Sequence, residues 1–252
     1  MTFDVNILRE LARWLWRKIV HGWPCLVFLG VFVSSWLNPL RAQLIKLPPP
    51  PEIEPAGYQL ILDFEVGGGR NYFDRFLQRP EWPGAASGVT VGVGYDCGYN
   101  SRTVILSDWR ALDFAGDLAA TSGITGARAR ALAHALRAAD LRIGWPTAET
   151  VFQHVSVAKF WQICRRAWGG GFDRLDPRCQ WALLSLTFNR GSSMAGPSRA
   201  EMREIRALIP ARDYAGIAAE LRAMKRVWRG RDIALAMSRR REAEARLVES
   251  CR

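Results

Sequence analysis

SGVTVGVGYDCG, residues 87 to 98, alternates valine with threonine and glycine and then meets an acid. Read as a strand, it turns Val89, Val91 and Val93 to one face and Thr90, Gly92, Gly94 and Asp96 to the other. The first face suits a core. The second carries a hydroxyl, two bare backbone positions and a carboxylate, and glycine within a strand marks a bend or a close approach to the backbone. That polar face is therefore expected to stay open for a ligand. A straight strand would separate Thr90 from Asp96 by about 20 Å. If both serve one bond, the chain must turn at Gly92 or Gly94.

The surrounding sequence reads as helix. GYQLILDFE, residues 57 to 65, places Leu60, Ile61 and Phe64 at helical spacing and stops at Gly67-Gly68-Gly69, which puts Glu65 in or just after the last turn. Downstream, Ser107 is expected to cap a helix through LSDWRALDFAGDL, and ARARALAHALRAADL, 127 to 141, is an alanine-rich helix. Asp176 with Pro177 starts another that ends at Asn189 and Gly191. Ser198 with Glu201 reads as a capping box, Asp213 as a cap, and the last helix begins near Asp232. With no internal repeat and no strand–helix–strand rhythm, residues 57 to 252 read as one α+β domain, a small β-sheet lobe beside a larger helical lobe.

Composition bounds the partners. The chain has 252 residues, 49% of them hydrophobic and 23% charged, which suits a globular domain rather than a disordered chain. Its formal charge of +11 predicts attraction to a polyanion, whether nucleic acid, anionic lipid or a wall polymer. Residues 1 to 18 form a basic segment with Arg9, Arg13, Arg17 and Lys18, and residues 19 to 40 then lack Lys, Arg, Asp and Glu. That run is long enough for a transmembrane helix, with Trp23 and Trp36 near its ends. The charge bias predicts a single-pass anchor in a bacterial inner membrane, the amino terminus cytoplasmic and the domain periplasmic or exported. A cleaved signal peptide is the competing expectation, with Leu40-Arg41-Ala42 as its best cleavage site. Residues 41 to 56 include LPPPPEIEP and read as a semi-rigid proline-rich spacer.

Cys25 falls in the apolar run, leaving Cys97, Cys164, Cys179 and Cys251, which an oxidising compartment could pair in three ways. No two cysteines have metal-ligand spacing, and imidazole could come only from His21, His134 and His154. No metal or other cofactor is expected.

Glu65 at a helix end, a glycine-rich exit, and a strand bearing Thr90 and Asp96 together suit glycoside hydrolysis, which needs one carboxylic acid beside the leaving oxygen and one carboxylate that attacks or orients water. Leu62 and Phe64 would bury Glu65 in part and keep it protonated as the acid. Asp96 would act on the other side, with the Thr90 hydroxyl helping to hold the water. Trp82, Tyr95 and Tyr99 lie near the strand, where aromatic rings can stack on sugars or pack in a core.

FEVGGG, SGVTVGVGYDCG, SLTFNRGS and SRRREAEARL, in that order over roughly residues 57 to 250, resemble the successive motifs of the phage-type lysozymes, and more closely the branch that includes pesticin and effector lysozyme domains. The resemblance implies a lysozyme-like fold and a muramidase that cleaves the β-1,4 bond between N-acetylmuramic acid and N-acetylglucosamine in peptidoglycan glycan strands. It assigns the general acid to Glu65, the strand-opening threonine to Thr90, and the aspartate of the GYD motif to Asp96. In the simpler phage pattern the aspartate precedes the threonine by six residues, where this chain has Gly84. Asp74 keeps that pattern's short distance from Glu65 and is the reserve catalytic candidate. Substrate contacts are expected from Asn189, Tyr95 and Ser87, although Asn189 can equally end its helix. Arg239, Arg240 and Arg241 match the basic run of the family's last helix, where a solvated face paired with Glu242 and Glu244 is expected.

The alternative is a membrane-anchored module that binds peptidoglycan without turnover. A nucleic-acid binder is disfavoured, because the arginines are scattered over several helices and no base-reading motif is present. The protein is expected to be a monomer.

Overall fold

A computed structural model describes residues 51–67 and 69–252, all within one compact unit. The basic segment, the apolar run 19–40 and the spacer up to residue 50 lie outside the described residues. Among the described residues no helix is long and apolar enough to cross a membrane. The bulk is helical and the sheet has two antiparallel strands, an α+β arrangement.

Helix α1, Pro55–Glu65, begins inside the segment assigned to the spacer. Pro55 fits there because a first-turn residue needs no N–H partner, and Glu54 caps the helix by accepting from the Gly57 N–H at 2.5 Å. The Glu52 carbonyl accepts from the Trp181 indole at 3.2 Å, so the spacer's last residues are part of the domain. A helical turn, Arg70–Tyr72, continues into a π-helical turn, Phe73–Leu77.

Strands β1, Thr90–Val91, and β2, Tyr95–Asp96, form a hairpin. The turn that the joint use of Thr90 and Asp96 demanded is present. Gly92 at φ +60° and Gly94 at φ +72° adopt left-handed backbone that residues with a Cβ rarely accept. Val89, Val91 and Val93 are all buried, as their alternation requires.

Helices α2, Arg102–Asp108, and α3, Ala115–Ala119, follow. Ser101 rather than Ser107 caps α2, accepting from the Val104 N–H, and Ser107 lies in its last turn. Next come α4, Gly126–Ala138, α5, Trp145–Val151, and α6, Ala158–Trp168. Helix α7, Pro177–Arg190, is capped by Asp176 and closed by Gly191. Its residues from Trp181 to Thr187 are buried on every face, the mark of a central helix. Around it pack α1, α6 and α10, Ala234–Glu249, with α8, Ala200–Leu208, and α9, Tyr214–Ala223, beyond. The capping box expected at Ser198 is absent, because Glu201 is buried and paired with Arg226.

Candidate functional site

Glu65 is the last residue of α1, where the helix leaves the core at Val66. Its side chain is 32% exposed and ion-paired at 2.8 Å with Arg240, whose own side chain is only 3% exposed. The Arg240 guanidinium also lies 5.4 Å from the Phe64 ring.

Behind this pair stands a buried charge network. Arg240 donates to the Ser185 carbonyl at 2.9 Å, and Glu244 Oε1 accepts from Arg241 at 2.8 Å and from the Ser185 hydroxyl at 2.7 Å. The expected solvated face is thus limited to Arg239 and the ion-paired Glu242, while Arg240, Arg241 and Glu244 are buried. The reason is spacing: on α10, residues 240, 241 and 244 turn toward α7, where Ser185 supplies polar partners.

Burial pulls Arg241 down to about 10, which still leaves it charged at neutral pH. Burial likewise pushes the Glu244 carboxyl up, against the pull of Arg241, Arg240 and Ser185. Its Oε1 gathers the hydrogen bonds from Arg241 and Ser185, while the buried Oε2 has no partner among the described residues. Glu244 thus meets both Arg240 and Arg241, and Glu65 is the partly exposed partner of Arg240. Asn189, in the last turn of α7, joins through its amide oxygen at 3.5 Å from Arg241.

The hairpin forms a second cluster. Thr90 is the register partner of Asp96, and the Cys97 N–H donates to the Val89 carbonyl next along the ladder, which makes Thr90–Asp96 a closely spaced, non-hydrogen-bonded pair. On its other edge Thr90 exchanges two backbone hydrogen bonds with Glu81, at 2.8 and 2.9 Å. Glu81, Thr90 and Asp96 therefore share one face of the sheet. Burial raises the Glu81 pKa, against the pull of Arg137. Glu81 escaped sequence reasoning because it lies in the irregular loop; only a bridge formed by folding brings it beside Thr90.

This face differs from the open one expected. Thr90 is only 7% exposed. The Asp96 carboxylate accepts from the Gly88 N–H at 2.9 Å and the Gly98 N–H at 2.8 Å, so it already ties the hairpin to the turn that follows. The close approach marked by glycine is the protein's own: a Cβ at Gly88 would lie 2.3 Å from Asp96 Oδ1, and one at Gly92 would lie 2.8 Å from the Trp109 ring.

Tyr95 does not face a ligand. It is 5% exposed, packs edge-on against Trp109, and donates to Asp108 at 2.7 Å, with burial and that neighbour raising its pKa. Ser87 is half-buried and uses its carbonyl to accept from the Trp82 indole and the Gly126 N–H. Tyr99 is the exposed aromatic here, its hydroxyl donating to the Ala86 carbonyl. Asp74 sits in the π-helical turn, paired with Arg70 at 3.2 Å, and lines a basic pocket with Arg75, Arg79, Arg137 and Arg142. No hydrogen bond or ion pair among the described residues joins Asp74 to either cluster. None joins the Glu65 cluster to the hairpin cluster. Nor do any three or more His, Cys, Asp and Glu side chains among the described residues group closely enough to hold a metal ion.

Compared with known families and with curated proteins, the chain matches no family model and no curated sequence.

Proposed function

We propose that the protein is a lysozyme-like muramidase that hydrolyses the β-1,4 bond between N-acetylmuramic acid and N-acetylglucosamine in peptidoglycan. The observation that carries this proposal is the Glu65 carboxylate, presented at a helix end and oriented by a buried arginine. Burying charges costs several kcal/mol per ion. Such networks cluster where a side chain's charge and orientation matter chemically.

In this mechanism Glu65, ion-paired with Arg240 in the free protein, takes up a proton from solvent before the glycan covers it and then gives that proton to the glycosidic oxygen. A glycan lying over the carboxylate displaces the water that now reaches it and strengthens its electrostatics. Thr90 and Asp96 hold the attacking water, with Asp96 Oδ2 retaining acceptor capacity beyond its bond to Gly88. Glu81 flanks Thr90 on the same face and is the competing second carboxylate. Asn189 contacts the glycan through the amide group left by Arg241. The +11 charge draws the domain to an anionic wall polymer, and residues 19–40 anchor it, as a monomer, in the inner membrane with the domain facing the periplasm.

Muropeptide release from purified peptidoglycan tests this. The wild-type chain should release reducing ends, and Glu65→Gln should lower the rate by about 10²-fold or more, as loss of general acid catalysis does. A comparable loss in Asp96→Asn with little change in Glu81→Gln assigns the water to Asp96, and the reverse assigns it to Glu81. Absence of turnover by the wild type over a range of pH and salt would discard the enzyme. Retention on sacculi, surviving Glu65→Gln, would then support the non-catalytic binding module, which the use of Arg240 and Asp96 in structural contacts also suits.

A further inference from the structure

We propose that Cys179 and Cys251 are a disulfide-forming pair that ties the segment after α10 to the first turn of α7. Both thiols are free in this structure. Cys179 is fully buried near the start of α7, and the Cys251 thiol, which itself lies 3.7 Å from the Leu247 carbonyl, is its close neighbour. Contacts on both sides hold the two segments together. Arg178 donates to the Ser250 carbonyl at 2.7 Å, and the Arg252 N–H donates to Asp176 at 3.4 Å. Cys251 thus lies between two residues, and Cys179 directly after one, that already bridge the same two segments.

The other described thiols are engaged elsewhere. Cys97 lies beside Thr121, and Cys164 lies against the Leu183 carbonyl and Thr187. Of the three pairings open to four cysteines, the fold brings only one pair into contact.

Exposure sets the order of events. Cys251 is partly exposed, whereas Cys179 is buried and its thiol is raised by its contact with Cys251 and by burial. A small or protein-borne disulfide oxidant therefore meets Cys251 first. The Cys251 thiolate attacks one oxidant sulfur, breaks its S–S bond and expels the other sulfur as a thiolate. Cys179 then loses its proton and attacks the Cys251 sulfur, expelling the second oxidant sulfur. The two protein thiols are oxidised to one disulfide, and the oxidant disulfide is reduced to two thiols that take up the two protons. The closed ring contains α10, and so fixes the helix that carries Arg240, Arg241 and Glu244 against α7. This inference does not depend on the muramidase proposal.

The test uses the full chain treated with oxidised glutathione under native conditions, alkylated without reduction, and mapped by mass spectrometry. The expected product is a linked peptide pair containing Cys179 and Cys251, lighter than the two free peptides by two hydrogens. Oxidation should raise the thermal midpoint by roughly 10 °C, in line with closing a long loop. A reductant should reverse the rise. Cys251→Ser should lack both the linkage and the rise, and Cys179→Ala provides the same control should one variant fold poorly. The proposal is overturned if both thiols stay alkylatable after oxidation, if Cys251 keeps a lasting glutathione adduct, or if either residue links to Cys97 or Cys164.

Discussion

Glu244 meets both Arg240 and Arg241, Glu65 meets Arg240 alone, and water reaches only Glu65. Glu244→Gln leaves the buried guanidinium groups short of one charge and should cost about 3–5 kcal/mol. Glu65→Gln, at the solvent edge, should cost about 1 kcal/mol. Urea denaturation of the two variants measures the difference, and also shows whether loss of activity in Glu65→Gln is chemical or structural. Glu81 makes the opposite case. Burial holds its folded pKa above the unfolded value. The folded state keeps that proton to higher pH than the unfolded chain, so Glu81 contributes a loss of stability as pH rises from the ordinary carboxylate range through the raised value. Glu81→Gln should remove that fall and leave the protein more stable near neutrality. Thermal melts from about pH 4 to about pH 7 span the change.

At the level of elements, the hairpin depends on two glycines for different reasons. Gly94→Ala faces open space and should cost only the left-handed backbone, about 1–2 kcal/mol. Gly92→Ala adds a methyl 2.8 Å from Trp109 and should cost about 1–3 kcal/mol more. Equal melting points for the two variants would show that Trp109 yields freely. Helix caps follow a local logic with one exception. Asp176 and Asp213 cap their helices as their sequence positions imply, whereas the Ser198–Glu201 box fails because Arg226 takes the Glu201 carboxylate. Asp213→Ala should therefore lower stability by about 1 kcal/mol in chemical denaturation.

Over the whole molecule, α9 and α10 are clamped by Arg222 and Lys225 on Glu242, with Arg222 also reaching Glu249. Hydrogen bonds from Arg222 and Lys225 hold the Glu242 carboxyl down to about 2. A depressed acid stabilises the fold above its unfolded pKa and loses that contribution as pH falls toward about 2. The wild-type melting point should drop over that acid range, and Glu242→Gln should flatten the drop. The helices at 127–138 and 177–190, the buried valine face and the turn at Gly92 and Gly94 were legible in the chain, because they follow from local spacing, backbone freedom and capping, whereas the single helix expected through 106–118 breaks between α2 and α3 and neither α5 nor α6 was foreseen. The helix-end placement of Glu65 was legible too. The buried state of Arg240, Arg241 and Glu244, the place of Glu81 beside Thr90, the engagement of Asp96 with Gly88 and Gly98, and the meeting of Cys179 with Cys251 were not. Local periodicity and propensity act over a few residues, but the partner of a charge, a thiol or a strand edge is set by segments far apart in the chain that meet only when the core closes.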